Sequence, residues 1–213
     1  MIKTREVVLI TGKTGSGKST LFRQMIQQKP RFVIYDAIGE YAVLSPAFPA
    51  LYITTPEQLR QVLLAQYTGP LRVVFAPDPG VKVGSAFHGE FPVFDWFCWL
   101  FSQALTDITM GIEEIGNFVD RSNMPQELEN VIRFGRHSLI SVYATTQRPA
   151  DMPTLLRSQA TRFIAFRQHL PNDIDWIGDC IGDKKEAESL RDLKQFSWPG
   201  PMVSGQHYKE YTL

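Results

Sequence analysis

The chain has 213 residues, 44% of them hydrophobic, which is enough for one α/β domain with a full core. Its 22 Lys and Arg residues balance 22 Asp and Glu residues, so it lacks the global positive field of a tail-mediated nucleic-acid binder. Any contact with DNA must therefore be local. Cys98 and Cys180 have neither CxxC nor metal-ligand spacing, which argues against a metal or disulfide framework.

Neither the N-terminal segment nor the most apolar segment has the pattern of an export signal or a membrane span. The N-terminus leads within a few polar residues into Val7–Ile10, without the apolar region and cleavage site of a signal peptide. Phe91–Leu105 is rich in aromatic residues but contains Asp95 and is too short to span a bilayer. We interpret it as a core helix, with a partner-binding face as the alternative, and expect a cytoplasmic protein without a transmembrane anchor.

Short apolar runs alternate with segments of helical period, and this alternation predicts a parallel sheet covered by helices. The predicted strands are Val7–Ile10, Phe32–Tyr35, Leu51–Ile53, Arg72–Phe75, Ile108–Ile112, Leu139–Ala144 and Arg162–Phe166. The predicted helices are Lys18–Gln28, Pro56–Gln66, Pro92–Leu105, Pro125–Arg136, Thr154–Gln159 and Lys184–Leu193. No linker divides the chain, so residues 1–213 are expected to form a single domain, with residues 196–213 as a peripheral strand or tail.

The first strand and the first helix enclose a complete phosphate-binding motif, G-x-x-x-x-G-K-[ST]. Glycines at these positions let successive backbone N–H groups surround a phosphate, and the helix N-terminus adds partial positive charge. Lys18 is predicted to reach the β- and γ-phosphates, and Ser19 to offer its hydroxyl to Mg²⁺. The sequence therefore predicts binding of a nucleoside triphosphate, ATP in particular, by Gly12, Lys13, Thr14, Gly15, Ser16, Gly17, Lys18, Ser19 and Thr20.

Hydrolysis also requires carboxylates where a buried strand ends, and three strands end in acids. Asp36 follows the second strand and can serve substrate binding or structure, whereas Asp78 lies among prolines that favour a loop. The pair Glu113 and Glu114 follows Ile108–Ile112 and is preferred. At a strand end the chain turns, so Glu113 can face magnesium while Glu114 faces the attacking water.

Three further segments resemble the HerA/FtsK superfamily of DNA-pumping ATPases, and the resemblance covers nearly the whole chain. Asp36–Tyr41 is similar to its D-x-x-G-E-Y segment, and Arg133–Arg136 to its G-R segment. Thr145–Pro149 is similar to its T-Q-R-P sensor turn. The family usually has Asp-Glu where this chain has Glu113 and Glu114, which puts the magnesium role of Glu113 in doubt more than the role of Glu114.

The resemblance implies a P-loop NTPase fold of the RecA/ASCE-like type, a three-layer sandwich around a parallel sheet. Gln147, at the end of a buried strand, would sense the γ-phosphate or the attacking water through its amide. Arg136, or else Arg133, would be an arginine finger supplied to a neighbouring subunit, although cations at a helix end are also favoured by the helix dipole. The finger role of either arginine depends on the resemblance.

The resemblance further implies a homo-oligomeric ring of five or six subunits that moves double-stranded DNA. The small size is similar to that of viral genome-packaging ATPases, which dock on a capsid vertex, while plasmid or mobile-element motors remain an alternative. Zero net charge limits DNA binding to a few side chains in loops at the sheet edge, for which Lys82 in the Gly80–Gly89 segment and Arg121 with Asn123 are the candidates.

Two other classes of protein remain open. A small-molecule kinase has this length and this loop, and could bind a phosphorylated acceptor through acidic and basic side chains under a lid. The second is a nucleotide-gated scaffold that does not hydrolyse its nucleotide. This class stays open because Glu113 stands where the family usually has Asp. The candidate acceptor residues for the kinase are Asp36, Arg148, Arg157, Arg162 and Arg167.

Overall fold

Strands and helices alternate along the chain in the computed structural model, which describes residues 4–44, 48–85, 89–197 and 200–213. The chain divides into two units. The first consists of Met1–Arg5, Met25–Glu113 and Pro125–Val142, and the second of Glu6–Gln24, Glu114–Met124 and Tyr143–Leu213. The single domain expected for residues 1–213 stays a prediction.

The strands are β1 to β10 in chain order, and seven of them overlap the strands that the apolar runs predict. They are Val7–Thr11, Arg31–Tyr35, Leu51–Ile53, Leu71–Phe75, Lys82–Ser85, Gly89–Pro92, Ile108–Ile112, Ile140–Thr146, Arg162–Phe166 and Tyr208–Thr212. The helices α1 to α8 are Lys18–Ile26, Tyr41–Leu44, Pro56–Ala65, Val93–Gln103, Gln126–Phe134, Thr154–Gln159, Pro171–Ile181 and Lys184–Glu188.

The first unit contains four parallel strands in the order β7-β2-β4-β3. β2 is almost fully buried because it has a strand on each side, as its continuous apolar run predicts. Tyr35 at its end lies 5.0 Å from the Phe94 ring and 5.1 Å from the Phe97 ring. Both phenylalanines belong to α4, which buries seven side chains, so the interpretation of Phe91–Leu105 as a core helix is confirmed.

Arg5 fixes the end of α5 in the first unit. Its guanidinium donates through Nη2 to the carbonyl oxygens of Val131 and Ile132, each at 2.9 Å, and through Nε to that of Ile140 at 2.8 Å. These include carbonyl groups that a helix C-terminus leaves without partners inside the helix. The segment that follows α5 and carries Arg136 therefore begins at a helix end that Arg5 holds in place.

The second unit contains strands in the order β10-β9-β1, with β1 parallel to β9 and β10 antiparallel to β9 as an edge strand. All five residues of β1 are buried. β10 lies within residues 196–213, for which the sequence predicts a peripheral strand or tail. The α/β fold with a mostly parallel sheet flanked by helices is thus confirmed.

Four of these elements, β5, β6, α2 and α7, were absent from the sequence prediction. β5 and β6 form an antiparallel hairpin in the first unit, so Lys82 lies on a strand and the prediction of a loop there was wrong. Residues 86–88 of the Gly80–Gly89 segment lie outside the described residues. α7 was missed because acidic residues and Gly178 interrupt its apolar stripe, although Pro171 at its first turn is a typical helix start.

Candidate nucleotide-binding and catalytic site

The predicted phosphate-binding loop lies between β1 and α1 in the second unit. Gly15 and Gly17 have φ values of 75° and 100°, which L side chains rarely adopt. A Cβ atom on Gly12 would lie 2.5 Å from the Ser16 hydroxyl oxygen and 2.7 Å from Phe166 Cβ. The backbone therefore requires glycine at all three positions, which supports the interpretation of the motif as a built loop.

The residues that follow the loop start α1. Lys18 is buried, with 8% of its surface exposed, and it opens the helix together with the half-buried Ser19 and Thr20. A helix N-terminus presents backbone N–H groups and partial positive charge, both of which favour a phosphate. The loop, the lysine and the hydroxyls are thus arranged as a triphosphate requires, while their contacts with nucleotide stay a prediction.

A half-buried carboxylate faces this lysine. Glu114 Oε2 lies 3.6 Å from Lys18 Nζ. Glu114 Oε1 accepts a hydrogen bond from the Gln147 backbone N–H at 2.9 Å, and Oε2 accepts one from Gln147 Nε2 at 3.2 Å. The Thr14 hydroxyl donates in turn to Gln147 Oε1 at 2.9 Å. Four residues singled out from the sequence therefore form one polar network, which we call the Glu114 network.

The backbone turns sharply at Glu114, immediately after the end of β7. Glu114 has φ 51° and ψ 60°, the left-handed region that non-glycine residues adopt at a cost of about 1–3 kcal/mol. Its N–H donates to the Thr145 hydroxyl oxygen at 2.8 Å, which helps to hold this conformation. The sequence-based expectation that the chain turns after Ile112 and separates two adjacent carboxylates agrees with this geometry.

Glu113 lies in the first unit, where its side chain is buried. Its Oε1 accepts a hydrogen bond from the Tyr41 hydroxyl at 2.7 Å, and its N–H donates to the Tyr35 carbonyl at 3.3 Å. Carboxylate oxygen is a donor that Mg²⁺ prefers. The assignment of Glu113 and Ser19 to magnesium stays a prediction.

The D-x-x-G-E-Y segment folds around Asp36, which is 2% exposed. The Asp36 carboxylate accepts hydrogen bonds from the backbone N–H groups of Ile38, Gly39, Glu40 and Tyr41 at 2.9–3.3 Å. Of the two roles open to Asp36, structure is therefore the one that the geometry supports. The folded segment places the Tyr41 hydroxyl within hydrogen-bonding distance of Glu113. This contact explains why the motif ends in a tyrosine.

The T-Q-R-P turn is held by Asp173, a residue that the sequence did not single out. The Asp173 side chain is 1% exposed, its Oδ1 accepts from the Ala150 N–H at 3.2 Å, and its Oδ2 lies 3.2 Å from Arg148 Nε. Burial raises the pKa of Asp173, an effect that the Ala150 bond and the Arg148 charge oppose. Asp173 therefore fixes the turn that carries Gln147. No local motif could have indicated this role, because Asp173 belongs to the missed helix α7.

The two candidate finger arginines belong to the first unit and are exposed: Arg133 lies in the last turn of α5, and Arg136 follows the helix. Arg133 Nε lies 2.7 Å from Glu129 Oε1, one helical turn back. The Arg136 side chain has no polar partner among the described residues. Gly135 between them is required, because a Cβ there would lie 2.5 Å from the Val131 carbonyl oxygen. Of the two, Arg136 has the side chain that is not already paired.

The two side chains predicted to contact DNA differ in their contacts within the protein. Lys82 is exposed on β5 of the first unit. In the second unit, Arg121 Nε donates to the Ala150 carbonyl at 2.6 Å, so this exposed arginine also supports the T-Q-R-P turn. Both contacts with DNA stay predictions.

The arginines proposed for a kinase acceptor site are mostly engaged. Arg148 faces Asp173, Arg162 pairs with Glu6 and Glu210, and the Arg157 guanidinium lies 5.9 Å from the centre of the Trp176 ring. Arg167 lines a pocket beside the loop together with Lys13 and Ser16. Arg167 Nε in turn donates to the Arg191 carbonyl oxygen at 2.9 Å. All four arginines therefore have partners within the protein, so they do not support a phosphorylated acceptor.

The C-terminal segment of the second unit covers part of the loop. A Cβ on Gly17 would lie 2.8 Å from Met202 Cε and 2.9 Å from Phe196 Cδ1. Lys194, Gln195 and His207 line the same pocket as the loop residues. The sequence analysis did not find these contacts, since they join segments far apart in the chain.

In the described part of the chain, no group of three or more His, Cys, Asp or Glu residues could hold a metal ion. None of the described helices is both long and apolar enough to cross a membrane.

A glycine loop between strand and helix, followed by a lysine that faces a carboxylate, in an α/β fold of mostly parallel strands, defines a P-loop NTPase fold. The genome packaging NTPase B204 from Sulfolobus turreted icosahedral virus 2, in complex with AMPPCP, is similar with a TM-score of 0.68 and 21% identity, over 97% of this chain and 92% of that one. B204, the DNA-packaging ATPase from Sulfolobus turreted icosahedral virus, is similar with a TM-score of 0.65 and 22% identity, over 92% of this chain and 91% of that one.

VirB4 of Thermoanaerobacter pseudethanolicus gives a TM-score of 0.58 at 15% identity, over 89% of this chain and 84% of that one. No protein-family model and no curated protein matches the sequence. At these identities the likeness shows the fold alone. The solved structures therefore confirm the P-loop NTPase fold that the resemblance drawn from the sequence implied.

Proposed function

We propose that this protein is an ATPase that moves double-stranded DNA and packages a viral genome into a capsid. The observation that carries the proposal is the Glu114 network, in which a carboxylate at a strand end is oriented by Gln147 and lies 3.6 Å from Lys18 Nζ. A general base, a polar side chain that orients it and a phosphate-binding lysine are the groups that hydrolysis of a γ-phosphate requires.

Each member of the network has a separate task in hydrolysis. Backbone N–H groups of the loop and Lys18 bind the β- and γ-phosphates, and the lysine offsets the charge that develops on them. Glu114 orients the attacking water and accepts its proton, while Gln147 holds the carboxylate and reports the loss of the γ-phosphate. Mg²⁺, held by Ser19 and in our proposal by Glu113, would supply further positive charge to the phosphates.

The proposal extends to assembly and DNA. Subunits form a ring of five or six in which Arg136, or with less support Arg133, reaches the nucleotide of a neighbour. DNA is contacted without regard to sequence by Lys82 and Arg121, and the ring works in the cytoplasm on a capsid vertex. The exposed and unpaired side chain of Arg136 supports this part of the proposal.

The alternatives differ in what they require of the site. A kinase lacks support because its acceptor arginines have structural partners. A scaffold without turnover would have no use for a carboxylate oriented by two hydrogen bonds from Gln147. A plasmid or mobile-element motor would have the same site, and only its DNA and docking partner distinguish it.

The test is release of phosphate from ATP, with and without double-stranded DNA. We expect turnover that DNA stimulates, and no turnover from Lys18→Ala. Lys185→Met, which removes an exposed lysine of α8, should turn over normally and is the matched control. Transfer of phosphate to a nucleotide or sugar would establish a kinase, and binding without turnover would establish a scaffold.

A further inference from the structure

Arg121 links two parts of the candidate catalytic site in the second unit. Its Nε donates to the Ala150 carbonyl oxygen at 2.6 Å, in the turn that follows Gln147. Gln147 donates twice to Glu114, through its backbone N–H at 2.9 Å and through Nε2 at 3.2 Å. Since the segment that carries Arg121 itself begins at Glu114, the contacts and the chain together form a closed circuit. We call these four residues the Arg121 linkage.

The segment that leads from Glu114 to Arg121 is held by its own backbone. The Asn117 N–H donates to the Glu114 carbonyl oxygen at 3.0 Å, and the Val119 N–H donates to that of Ile115 at 3.2 Å. The side chains of Ile115 and Val119 are buried, which anchors this short stretch. The connection along the chain between Arg121 and the carboxylate is therefore short and internally bonded.

The end of this segment is a tight turn. Asp120 Oδ1 accepts hydrogen bonds from the Ser122 N–H at 2.8 Å and from the Asn123 N–H at 2.9 Å. An aspartate that binds the backbone two residues further on is typical of such turns. The turn holds Arg121 at an exposed position.

The opposite end of the linkage is also fixed. Ala150 is 1% exposed, and its N–H donates to Asp173 Oδ1 at 3.2 Å. The backbone groups of Ala150 therefore bind two side chains, those of Arg121 and Asp173, which lie far apart in the chain. Asp173 is buried, whereas Arg121 is exposed and open to a partner outside the chain.

The Arg121 guanidinium has donors left over for a second acceptor. It carries five N–H donors, of which Nε supplies one to Ala150. Among the described residues, its Nη groups have no hydrogen-bond partner and no carboxylate pairs with it. A planar guanidinium edge matches two phosphate oxygens, and such charge-assisted bonds are about twice as strong as neutral ones. Arg121 can therefore bind a phosphate and Ala150 at the same time.

We propose that Arg121 is a positioning residue through which bound DNA raises the rate of ATP hydrolysis, an inference that rests on the proposed function. An exposed arginine side chain exchanges between rotamers, and a DNA phosphate on its Nη groups would fix the guanidinium where Nε holds Ala150. DNA that binds this arrangement better than the others shifts the population toward it. In that arrangement Gln147 orients Glu114, so a larger fraction of the molecules has the general base in place.

The test is Arg121→Lys in the full chain, assayed by phosphate release from ATP against the concentration of a short DNA duplex. Lysine keeps the charge, so the salt slope of DNA binding should not change. It replaces the planar fork with a single nitrogen, which cannot hold a carbonyl and a phosphate in the same fixed geometry. At saturating DNA, we expect the stimulation to fall at least about fivefold, the lower end of couplings between two sites.

Two comparisons separate coupling from binding. Lys82→Ala removes the other predicted DNA contact, on β5 of the first unit. It should raise the DNA concentration needed for half-maximal stimulation and leave the maximal stimulation unchanged. Lys185→Met, the control that removes an exposed lysine of α8, should respond to DNA as the unaltered chain does.

A second measurement does not depend on turnover. The NMR signal of the Gln147 side-chain amide, which donates to Glu114, is followed while the duplex is added without nucleotide. The signal should shift in the unaltered chain and stay in place in Arg121→Lys. Full stimulation of Arg121→Lys by DNA, or an equal shift of its Gln147 signal, would overturn the coupling while the proposed function stands.

Failure of the proposed function gives a different result. If the unaltered chain binds DNA but hydrolyses no ATP, the proposed function is wrong, and the Gln147 signal in the unaltered chain and in Arg121→Lys still decides whether the linkage responds to DNA. If the unaltered chain binds no DNA, both the proposed function and the coupling are wrong.

Discussion

Replacement of Glu114 by glutamine tests the proposed general base most directly. The amide keeps the shape of the side chain but cannot accept a proton from water. General bases contribute about 10²–10⁴-fold to rate, so we expect the turnover number of Glu114→Gln to fall by about that factor. Oε1 and Oε2 both accept hydrogen bonds from Gln147, so the new NH₂ group must face at least one donor and the network loosens.

The affinity of Glu114→Gln for ATP should not fall with its turnover number. Lys18 and Glu114 are nearly buried, with 10% and 14% of their side chains exposed, and their charges lie 3.6 Å apart. At an effective dielectric of 20 this attraction is about 5 kcal/mol before desolvation is counted, so most of it is offset by the cost of burial. Without the carboxylate, Lys18 keeps its full charge for phosphate, and ATP should bind Glu114→Gln as tightly as the unaltered chain or more tightly.

The assay combines single-turnover hydrolysis with equilibrium binding of ATP. Glu113→Gln is the matched comparison, because the same chemical change is made one residue earlier, where the carboxylate accepts from Tyr41. If Glu113→Gln stopped hydrolysis with ATP still bound and Glu114→Gln did not, the two roles would be reversed. Loss of ATP binding by Glu114→Gln would show that the carboxylate supports the loop and is not a base.

Three other predictions follow from the same structure. Subunits with Arg136→Ala and subunits with Lys18→Ala, each inactive alone, should recover part of the ATPase activity when mixed; co-assembled mixtures that stay inactive would place Arg136 outside its neighbour's site. DNA binding should be independent of sequence and weaken with a shallow salt slope that Lys82→Ala or Arg121→Ala makes shallower still, because few phosphates are contacted per subunit; a steep, sequence-dependent isotherm would contradict this. Asp173→Asn should slow hydrolysis through the turn that it holds. Because the folded-state pKa of Asp173 is raised, the folded protein takes up its proton first as pH falls. The unfolding free energy of the unaltered chain should then rise relative to that of Asp173→Asn from pH 7 to pH 4.5, as measured by urea denaturation, and no change in this difference would refute the raised pKa.

The sequence predicted those parts of the fold and site that local chemistry determines. The loop motif needs glycine backbone angles and a strand and helix on either side, and all of these can be recognised within Val7–Ile26. The acid pair was found because a buried apolar strand that ends in carboxylates is itself a local pattern. Gln147 was found through the resemblance, and its position at the end of a strand agreed with it.

What the sequence could not show depends on contacts between distant segments. Asp173 supports the sensor turn from a helix whose apolar pattern is interrupted, and Lys194 reaches the loop from the C-terminal segment. Asp36 was left between two roles because an acid after a strand is compatible with both. Only its four backbone partners distinguish them.

The hydrogen bond from Tyr41 to Glu113 makes the tyrosine a potential spectroscopic reporter. A phenol that donates to a carboxylate at 2.7 Å absorbs and vibrates differently from one that does not. A fluorotyrosine incorporated at position 41 would therefore respond in its ¹⁹F resonance when Glu113 changes its partner. Addition of Mg²⁺ with nucleotide could then be followed at this residue without a dye, in the intact chain and during turnover.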